Sequence, residues 1–136
     1  MYTHTTQVRV RYAETDQMGV VYHGNYAAFC EVGRVESIRA LEYSYKQMEA
    51  DGVIMPIVAL NFKFIRPAKY DDLLTIESSI TDLPTAHEVQ FTQKIYNEGK
   101  VLLVIATVRL YFLDAVTMQR VNSPQHLLNK LAPFYA

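Results

Sequence analysis

The sequence predicts an α+β domain in which an antiparallel β-sheet is partly wrapped around one long α-helix. Three observations carry this prediction. Residues 6–12 alternate between apolar and polar side chains, residues 25–41 show a helical spacing of apolar side chains, and the alternation returns after Pro56. The chain of 136 residues is close to the usual size of one domain, so we expect a single unit over residues 1–136.

The first strand is predicted over residues 6–12, with Tyr12 and the two preceding valines of that pattern on one side of it. Residues 13–23 follow as a loop, in which Asp16 and Gly19 indicate turns. This loop leads directly into the predicted helix.

Residues 25–41 predict an amphipathic helix about 25 Å long. Gly24 or Asn25 is expected to cap its start, and Gly33 indicates that the helix backbone packs closely on the sheet. The apolar residues at every third position are expected to face the sheet: Phe29, Val32, Val35, Ile38 and Leu41. The remaining face is expected to be polar: Glu31, Arg34, Ser37 and Arg39.

The second half of the chain predicts strands. A short helix over residues 43–51 is ended by Gly52. Four strands follow, over residues 58–65, 73–80, 88–96 and 101–113. The turn at residues 97–100 predicts a hairpin, and the nearly continuous apolar character of residues 101–113 predicts that both faces of that strand are covered. A last short helix is predicted with Pro124 in its first position. Its inward side chains are expected to be Leu127, Leu128 and Leu131.

Composition excludes several classes of protein. Thirteen Lys and Arg against 14 Asp and Glu give a net charge of −1, which argues against binding nucleic acid or membrane surfaces through bulk charge. The single Cys30 excludes an intrachain disulfide and a multi-cysteine metal site. The N-terminus has no apolar signal region, and the longest apolar stretch is shorter than the roughly 20 residues that span a bilayer. We therefore expect a soluble, cytoplasmic protein without a metal site. The histidines outside the loop are expected at the surface: His4, His87 and His126.

Residues 11–26 and the first turns of the helix carry a dense motif. Its members are Tyr12, Thr15, Asp16, Gly19, Val20, Val21, Tyr22, His23, Asn25, Tyr26, Phe29, Glu31 and Arg34. These residues resemble the active-site stretch of hotdog-fold acyl-CoA thioesterases of the 4-hydroxybenzoyl-CoA thioesterase type, especially the branch associated with the Tol-Pal cluster. The order of elements extends the resemblance over nearly the whole chain, and residues 66–68 fall where the family often has a similar turn.

The resemblance implies a hotdog fold and the hydrolysis of an acyl-CoA thioester to a carboxylic acid and CoA. It implies that Asp16 is the catalytic carboxylate, and that backbone N–H groups near His23 and Gly24 polarise the thioester carbonyl. It also implies a homodimer with a continuous sheet, or a homotetramer. A helix glutamate is catalytic in other hotdog branches, which makes Glu31 a competing candidate.

Elementary chemistry supports the same reading of the loop. A helix N-terminus presents unpaired N–H groups and about half a positive charge, which stabilise a carbonyl oxygen that becomes an oxyanion. Asp16 can attack the carbonyl directly or take a proton from water, and the sequence leaves both routes open. The His23 side chain is a further candidate for proton transfer. No metal or redox cofactor is implied, because hydrolysis needs only a carboxylate, an oriented water and amide dipoles.

The predicted substrate-binding residues are Tyr22, Gly24, Asn25, Tyr26, Glu31, Arg66 and Lys69. Of these, Arg66 and Lys69 are candidates for binding the CoA phosphates, although solvated turn charges explain them equally well. Two other classes of function stay open: a hotdog dehydratase or hydratase acting on acyl thioesters, and a non-catalytic acyl-CoA binding module. The sequence does not indicate which acyl group is preferred.

Overall fold

The computed structural model describes residues 1–135, and its main feature is a five-stranded antiparallel sheet with a long helix packed on one face. The strands are β1 (Tyr2–Arg9), β2 (Val53–Ile54), β3 (Ile57–Phe64), β4 (Leu73–Ile80), β5 (Glu88–Tyr96), β6 (Leu102–Tyr111) and β7 (Leu113–Asp114). The helices are α1 (Asn25–Arg39), α2 (Tyr45–Ala50) and α3 (Gln125–Leu131). The main sheet has the order β1-β4-β5-β6-β3, and β2 pairs with β7. This confirms the predicted α+β class.

β4 and β5 occupy their predicted residues, but the first strand was predicted too late in the chain. β1 spans Tyr2–Arg9, and a 3-10 turn at Tyr12–Glu14 follows it. Tyr12 is therefore 77% exposed rather than part of the inward face. The strand includes residues 2–5 because each of them pairs with a residue of β4. These four residues show no clear alternation of apolar and polar side chains, so the sequence did not indicate this part of the strand.

The face of α1 that packs on the sheet also differs from the predicted one. The buried side of the helix consists of Tyr26, Phe29, Cys30, Gly33, Arg34, Ser37 and Ile38. This set has the i, i+3, i+4, i+7 spacing of one face of a helix with 3.6 residues per turn. The predicted face used every third residue, and such positions move gradually around the helix axis instead of staying on one side. As a result Val32 is exposed, while Arg34 and Ser37 are buried.

Gly33 confirms the predicted close approach between α1 and the sheet. A Cβ atom at this position would lie 2.7 Å from Cγ2 of Ile76, 2.8 Å from Oγ of Ser78 and 2.9 Å from Nε2 of Gln93. Any larger residue would push the helix off the strands, so the contact depends on glycine.

The apolar core is divided into two clusters along α1. The start cluster, near the first turns of α1, contains Val10, Val21, Tyr26, Phe29, Cys30, Ala68, Leu74, Ile76, Ile95, Leu103, Val104 and Ala106. The end cluster, near the last turns, contains Tyr2, Ile38, Leu41, Tyr43, Met48, Ile80, Val89, Phe91, Val108, Leu110, Phe112, Leu127 and Leu131. The two clusters share the same sheet and the same helix.

The short elements that close the end cluster were predicted in part. α2 begins after Ser44, whose Oγ accepts the Gln47 N–H at 3.1 Å, and Gly52 follows the helix with a φ of +89° as expected. β2 and β7 were not predicted. In α3, Pro124 is the N-cap rather than the first helical residue, and Leu128 is only half-buried.

β3 lies at one edge of the main sheet, and most of its side chains are exposed. The neighbouring β6 is buried on the face towards α1, but its other face is only half-buried, so the predicted cover on both faces is not supplied by residues 1–135. Within those residues, no helix has the length and apolar character needed to cross a membrane.

Candidate active site

The loop that carries Asp16 is held in a tight turn by its own backbone. The Asp16 N–H donates to the Val20 carbonyl at 2.8 Å, and the Gly19 N–H donates to the Asp16 carbonyl at 3.0 Å. Gly19 has a φ of +78°, in the left-handed region that glycine adopts without strain. Oδ1 of Asp16 accepts the Met18 N–H at 2.8 Å, while Oδ2 accepts no hydrogen bond from the described residues. The carboxylate is therefore fixed through one oxygen and open at the other.

The start of α1 is not capped by any side chain. Gly24 is the N-cap, and the first turn contains no acidic residue. The Asn25 N–H donates to the Tyr22 carbonyl at 2.9 Å, and the Tyr26 N–H donates to the His23 carbonyl at 3.3 Å. The N–H groups of His23 and Gly24 have no acceptor within the part of the chain that the structure describes. These two groups and the positive end of the helix are therefore available to an external oxygen.

The carbonyl of Glu14 joins the Asp16 loop to the helix start. It accepts the Tyr22 N–H at 2.9 Å and Nδ2 of Asn25 at 2.8 Å. Asn25 was predicted to bind substrate, but its side-chain amide is used to hold the loop. The carboxylate and the uncapped helix start thus belong to one hydrogen-bonded unit.

Tyr26 connects the helix start to the turn at residues 66–69. Its hydroxyl accepts the Ala68 N–H at 3.1 Å, and its ring lies 5.5 Å from that of Phe64. Tyr26 is 3% exposed, and burial raises the pKa of its hydroxyl. Its ring is buried and its hydroxyl is occupied, so the structure places it beneath the site rather than on its surface.

Tyr22 and His23 are exposed beside the uncapped N–H groups. Their ring centroids are 4.4 Å apart, and the Tyr22 ring lies over Gly24. A Cβ atom on Gly24 would approach Cε2 of Tyr22 to 2.8 Å. Glycine at position 24 therefore allows the tyrosine ring to cover the helix start.

Arg66 and Lys69 lie on the turn that packs against the Asp16 loop. Lys69 pairs with Val20 in an isolated β-bridge, and the Lys69 N–H donates to Oδ2 of Asp72 at 2.9 Å. Both cationic side chains are exposed, and neither forms an ion pair with a residue in the range 1–135. The turn beside the Asp16 loop therefore carries two exposed cations that form no ion pair with residues 1–135.

Glu31 is exposed on α1, about 9 Å along the helix axis from Asn25. Arg34, one turn further along α1, points into the core, where its Nη1 donates to Oε1 of Gln93 at 3.1 Å. The Glu31 carboxylate is left at the surface, away from the hydrogen bonds that join the loop to the helix start.

Large apolar side chains are exposed around these elements. We call this set the apolar rim: Tyr12, Met18, Tyr22, Phe64 and Tyr70. The rings of Tyr12 and Tyr70 are 5.5 Å apart and meet edge to face. Exposed apolar surface of this kind is typical of a binding site for a ligand or a partner.

Comparison with known proteins identifies the family. The sequence profile of the thioesterase-like superfamily matches residues 10–131. The chain belongs to this superfamily. It is 35% identical over 121 residues to the acyl-CoA thioester hydrolase YbgC of Escherichia coli O6:H1, which covers 89% of this chain and 90% of the relative.

Solved structures of thioesterases agree with the fold. DHNA-CoA thioesterase from Staphylococcus aureus has a TM-score of 0.85 at 29% identity, covering 99% of this chain and 85% of that chain. A mutant 4-hydroxybenzoyl-CoA thioesterase complexed with 4-hydroxybenzoyl-CoA has the same fold, with a TM-score of 0.85 at 20% identity over 96% of this chain and 99% of that chain. The predicted hotdog fold and the predicted thioesterase family are confirmed.

Sequence reasoning missed the polar residues beneath α1. Arg34 and Gln93 are both buried, and His4 was expected at the surface but lies half-buried with a buried Nδ1. The signal for Gln93 was its position in β5, where an isolated amide stands between the inward-facing Phe91 and Ile95. Among the described residues, no group of His, Cys, Asp and Glu is arranged to hold a metal ion.

Proposed function

We propose that this protein hydrolyses acyl-CoA thioesters, with Asp16 as the catalytic carboxylate. One observation carries the proposal: a carboxylate with an open oxygen and an uncapped helix start are joined through the Glu14 carbonyl. Membership in the thioesterase-like superfamily and the similarity to the E. coli hydrolase support the substrate class.

The proposed reaction uses the two parts of the site for different tasks. The N–H groups of His23 and Gly24 donate to the thioester carbonyl oxygen and stabilise the negative charge that develops on it. Asp16 either takes a proton from the attacking water or attacks the carbonyl carbon itself, in which case water then cleaves the resulting anhydride. In either route the C–S bond breaks, the sulfur receives one proton of the water and leaves as the thiol of CoA, and the acyl group leaves as a carboxylic acid that contains the water oxygen and its other proton.

The side chains around this centre have proposed supporting roles. The exposed imidazole of His23 is a second candidate for moving a proton, and Tyr22 covers the acyl group beside it. Arg66 and Lys69 are proposed to bind the phosphates of CoA, because their unpaired cations lie on the turn next to the Asp16 loop. Glu31 is retained only as the competing carboxylate. This chemistry requires no metal or redox cofactor.

We further propose that the protein acts as a homodimer or homotetramer with the acyl pocket between subunits. β3 is an edge strand, and its exposed apolar side chains continue into the following residue: Ile57, Val58, Leu60, Phe64 and Ile65. An exposed apolar edge favours pairing with another strand, and a second copy supplies one. Analytical ultracentrifugation at micromolar concentration is expected to give twice or four times the chain mass. A fully active monomer would contradict this assembly.

A cytoplasmic location and a single catalytic domain over residues 1–136 complete the proposal. Cys30 supports the location, since its thiol is fully buried and unpaired, whereas secreted proteins commonly use cysteines in disulfides.

The function is tested by incubating the purified protein with a panel of aliphatic and aromatic acyl-CoAs and following free CoA with a thiol reagent. The Cys30 thiol is fully buried, and burial raises its pKa to about 11, so we expect little reaction of the protein itself with the reagent near neutral pH. We expect release of CoA from at least one member. Binding without CoA release would instead identify an acyl-CoA binding module, and hydration or dehydration of an acyl thioester without CoA release would identify a hydratase or dehydratase.

A further inference from the structure

A layer of polar side chains separates the start cluster from the end cluster. On the face of the sheet towards α1, one row of paired residues crosses three strands: His4 on β1, Ser78 on β4 and Gln93 on β5. From the helix, Arg34 reaches the same row. We call these four residues the polar layer.

Gln93 is the centre of the polar layer. Its Nε2 donates to the Cys30 carbonyl at 2.8 Å and to Oγ of Ser78 at 2.8 Å, and its Oε1 accepts from Nη1 of Arg34 at 3.1 Å. A single side chain therefore holds a backbone carbonyl of α1, a side chain of α1 and the neighbouring strand β4. All three hydrogen bonds can form together only when α1 keeps this position along the sheet.

The polar layer does not contribute to stability in the way that apolar packing does. Arg34 is 3% exposed, its Nε has no partner, and no carboxylate lies within ion-pair distance among residues 1–135. Burying a cation without a counter-ion costs free energy, and well-packed apolar side chains commonly replace such groups without loss of stability. A buried polar network can instead fix one arrangement of the elements that it joins.

The position of α1 along the sheet matters at its first turn. The N–H groups of His23 and Gly24 belong to the helix start, whereas the Asp16 loop has two attachments: the Glu14 carbonyl binds it to the helix start, and the Val21 N–H bond to the Ala68 carbonyl binds it to the turn at residues 66–69. An axial shift of α1 therefore strains the loop between these two attachments. A helix moves as a rigid rod over short distances, so a shift at Cys30 is transmitted to Gly24, about 9 Å away. Displacements of about 1 Å are enough to reduce catalysis strongly.

We propose that the polar layer fixes the axial position of α1, and that Gln93 and Arg34 are thereby positioning residues for the helix-start N–H groups. The inference rests on the proposed function, because it assigns those N–H groups to the thioester carbonyl. Gly33 acts with the layer, since it allows the helix backbone to come close enough for Gln93 to reach the Cys30 carbonyl.

The test is the double variant Arg34→Met, Gln93→Met, which replaces the network with apolar side chains of similar length. We expect kcat on an acyl-CoA substrate to fall about 10- to 100-fold, with KM within about twofold and a melting temperature no lower than that of the wild type. A merely structural role would instead lower the melting temperature and leave the kcat of the folded protein unchanged. Wild-type kcat in the folded double variant would overturn the proposal.

Two further variants keep the test decisive. Gln93→Glu preserves an acceptor for Arg34 but removes the N–H groups that donate to the Cys30 carbonyl and to Ser78, so it tests the role of Gln93 even if the double variant fails to fold. We expect a lower kcat at constant KM. An unchanged kcat would refute the role of Gln93. Ser123→Ala removes a buried hydroxyl elsewhere in the core and should keep wild-type kcat. Asp16→Asn is measured in parallel. If Asp16→Asn stays active, the proposed function fails, whereas loss there with full activity in the Gln93 variants refutes only the positioning role.

Discussion

The two ends of α1 lie in differently built halves of the molecule. At its last turns, Ile38 is covered by the end cluster, to which α2 contributes Met48 and α3 contributes Leu127 and Leu131. At its first turns, Tyr26 and Phe29 belong to the start cluster, whose cover consists of the Asp16 loop and the turn at residues 66–69. One end is sealed by helices, and the other is covered by loops.

This difference separates stability from function. The sealed half buries large side chains completely, which is the main source of folding free energy. The loop-covered half leaves the apolar rim exposed beside two unpaired N–H groups and an open carboxylate oxygen. Substitutions in the end cluster should therefore change stability, and matched substitutions near the helix start should change catalysis.

The largest effect is expected in the end cluster. Phe112→Ala removes a fully buried ring and should lower the free energy of unfolding by about 3–5 kcal/mol. Urea denaturation measures this loss. Once corrected for the folded fraction, kcat should match the wild type, and a reduced kcat in the folded protein would show that the two halves are not independent.

Two tyrosine hydroxyls provide a matched pair. Tyr26→Phe leaves the buried Ala68 N–H without its acceptor and should lower the free energy of unfolding by about 1–3 kcal/mol. Tyr43→Phe removes a bond to Oδ2 of Asp51, an exposed residue that water can solvate, and should cost less than about 1 kcal/mol. We expect only Tyr26→Phe to change KM for acyl-CoA, because it releases the turn that carries Arg66. Equal effects of the two variants would contradict this difference.

The cations of the turn should affect substrate binding and not the chemical step. Arg66→Ala with Lys69→Ala should raise KM for acyl-CoA about tenfold with little change in kcat, because a phosphate contact is equally strong in the ground state and the transition state. Initial rates with an acyl-pantetheine, which lacks the nucleotide, should not change. Equal loss on both substrates would show that these residues act on structure.

A small effect on stability is expected at two glycines with left-handed backbones. Gly19 in the Asp16 loop and Gly52 after α2 have φ values of +78° and +89°, and a Cβ atom would meet nothing within 4 Å at either position. Gly19→Ala and Gly52→Ala should therefore each cost about 1 kcal/mol in thermal unfolding. Only Gly19→Ala should lower kcat. A similar fall of kcat in Gly52→Ala would show that the loss does not depend on the conformation of the Asp16 loop.

Regular and local features were predictable from the sequence. β4 and β5 match because apolar residues recur at alternate positions along both strands, with one polar residue each in the series, Ser78 and Gln93, and α1 begins at the predicted Asn25. The candidate site was recognisable because Asp16, His23 and Gly24 lie in one continuous segment, so that no long-range contact is needed to bring them together.

Features that depend on tertiary contacts were missed. β2 and β7 contain two residues each and exist only through their mutual pairing. The burial of Arg34 was not predicted because a charged residue is ordinarily assigned to the solvent face, and its acceptor Gln93 is 59 residues away. The contact between the Asp16 loop and the turn at residues 66–69 likewise depends on the folded sheet.

The central claim is that Asp16 and the uncapped start of α1 form the catalytic centre, and the turnover of Asp16→Asn tests it most directly. The substitution keeps the side-chain shape and an oxygen acceptor for the Met18 N–H, so the melting temperature should stay close to that of the wild type. We expect kcat for acyl-CoA hydrolysis to fall by at least about 100-fold, while Glu31→Gln, measured beside it, stays within about threefold of wild type. Near-normal turnover in folded Asp16→Asn would contradict the account, and loss of turnover in Glu31→Gln alone would assign catalysis to the helix carboxylate.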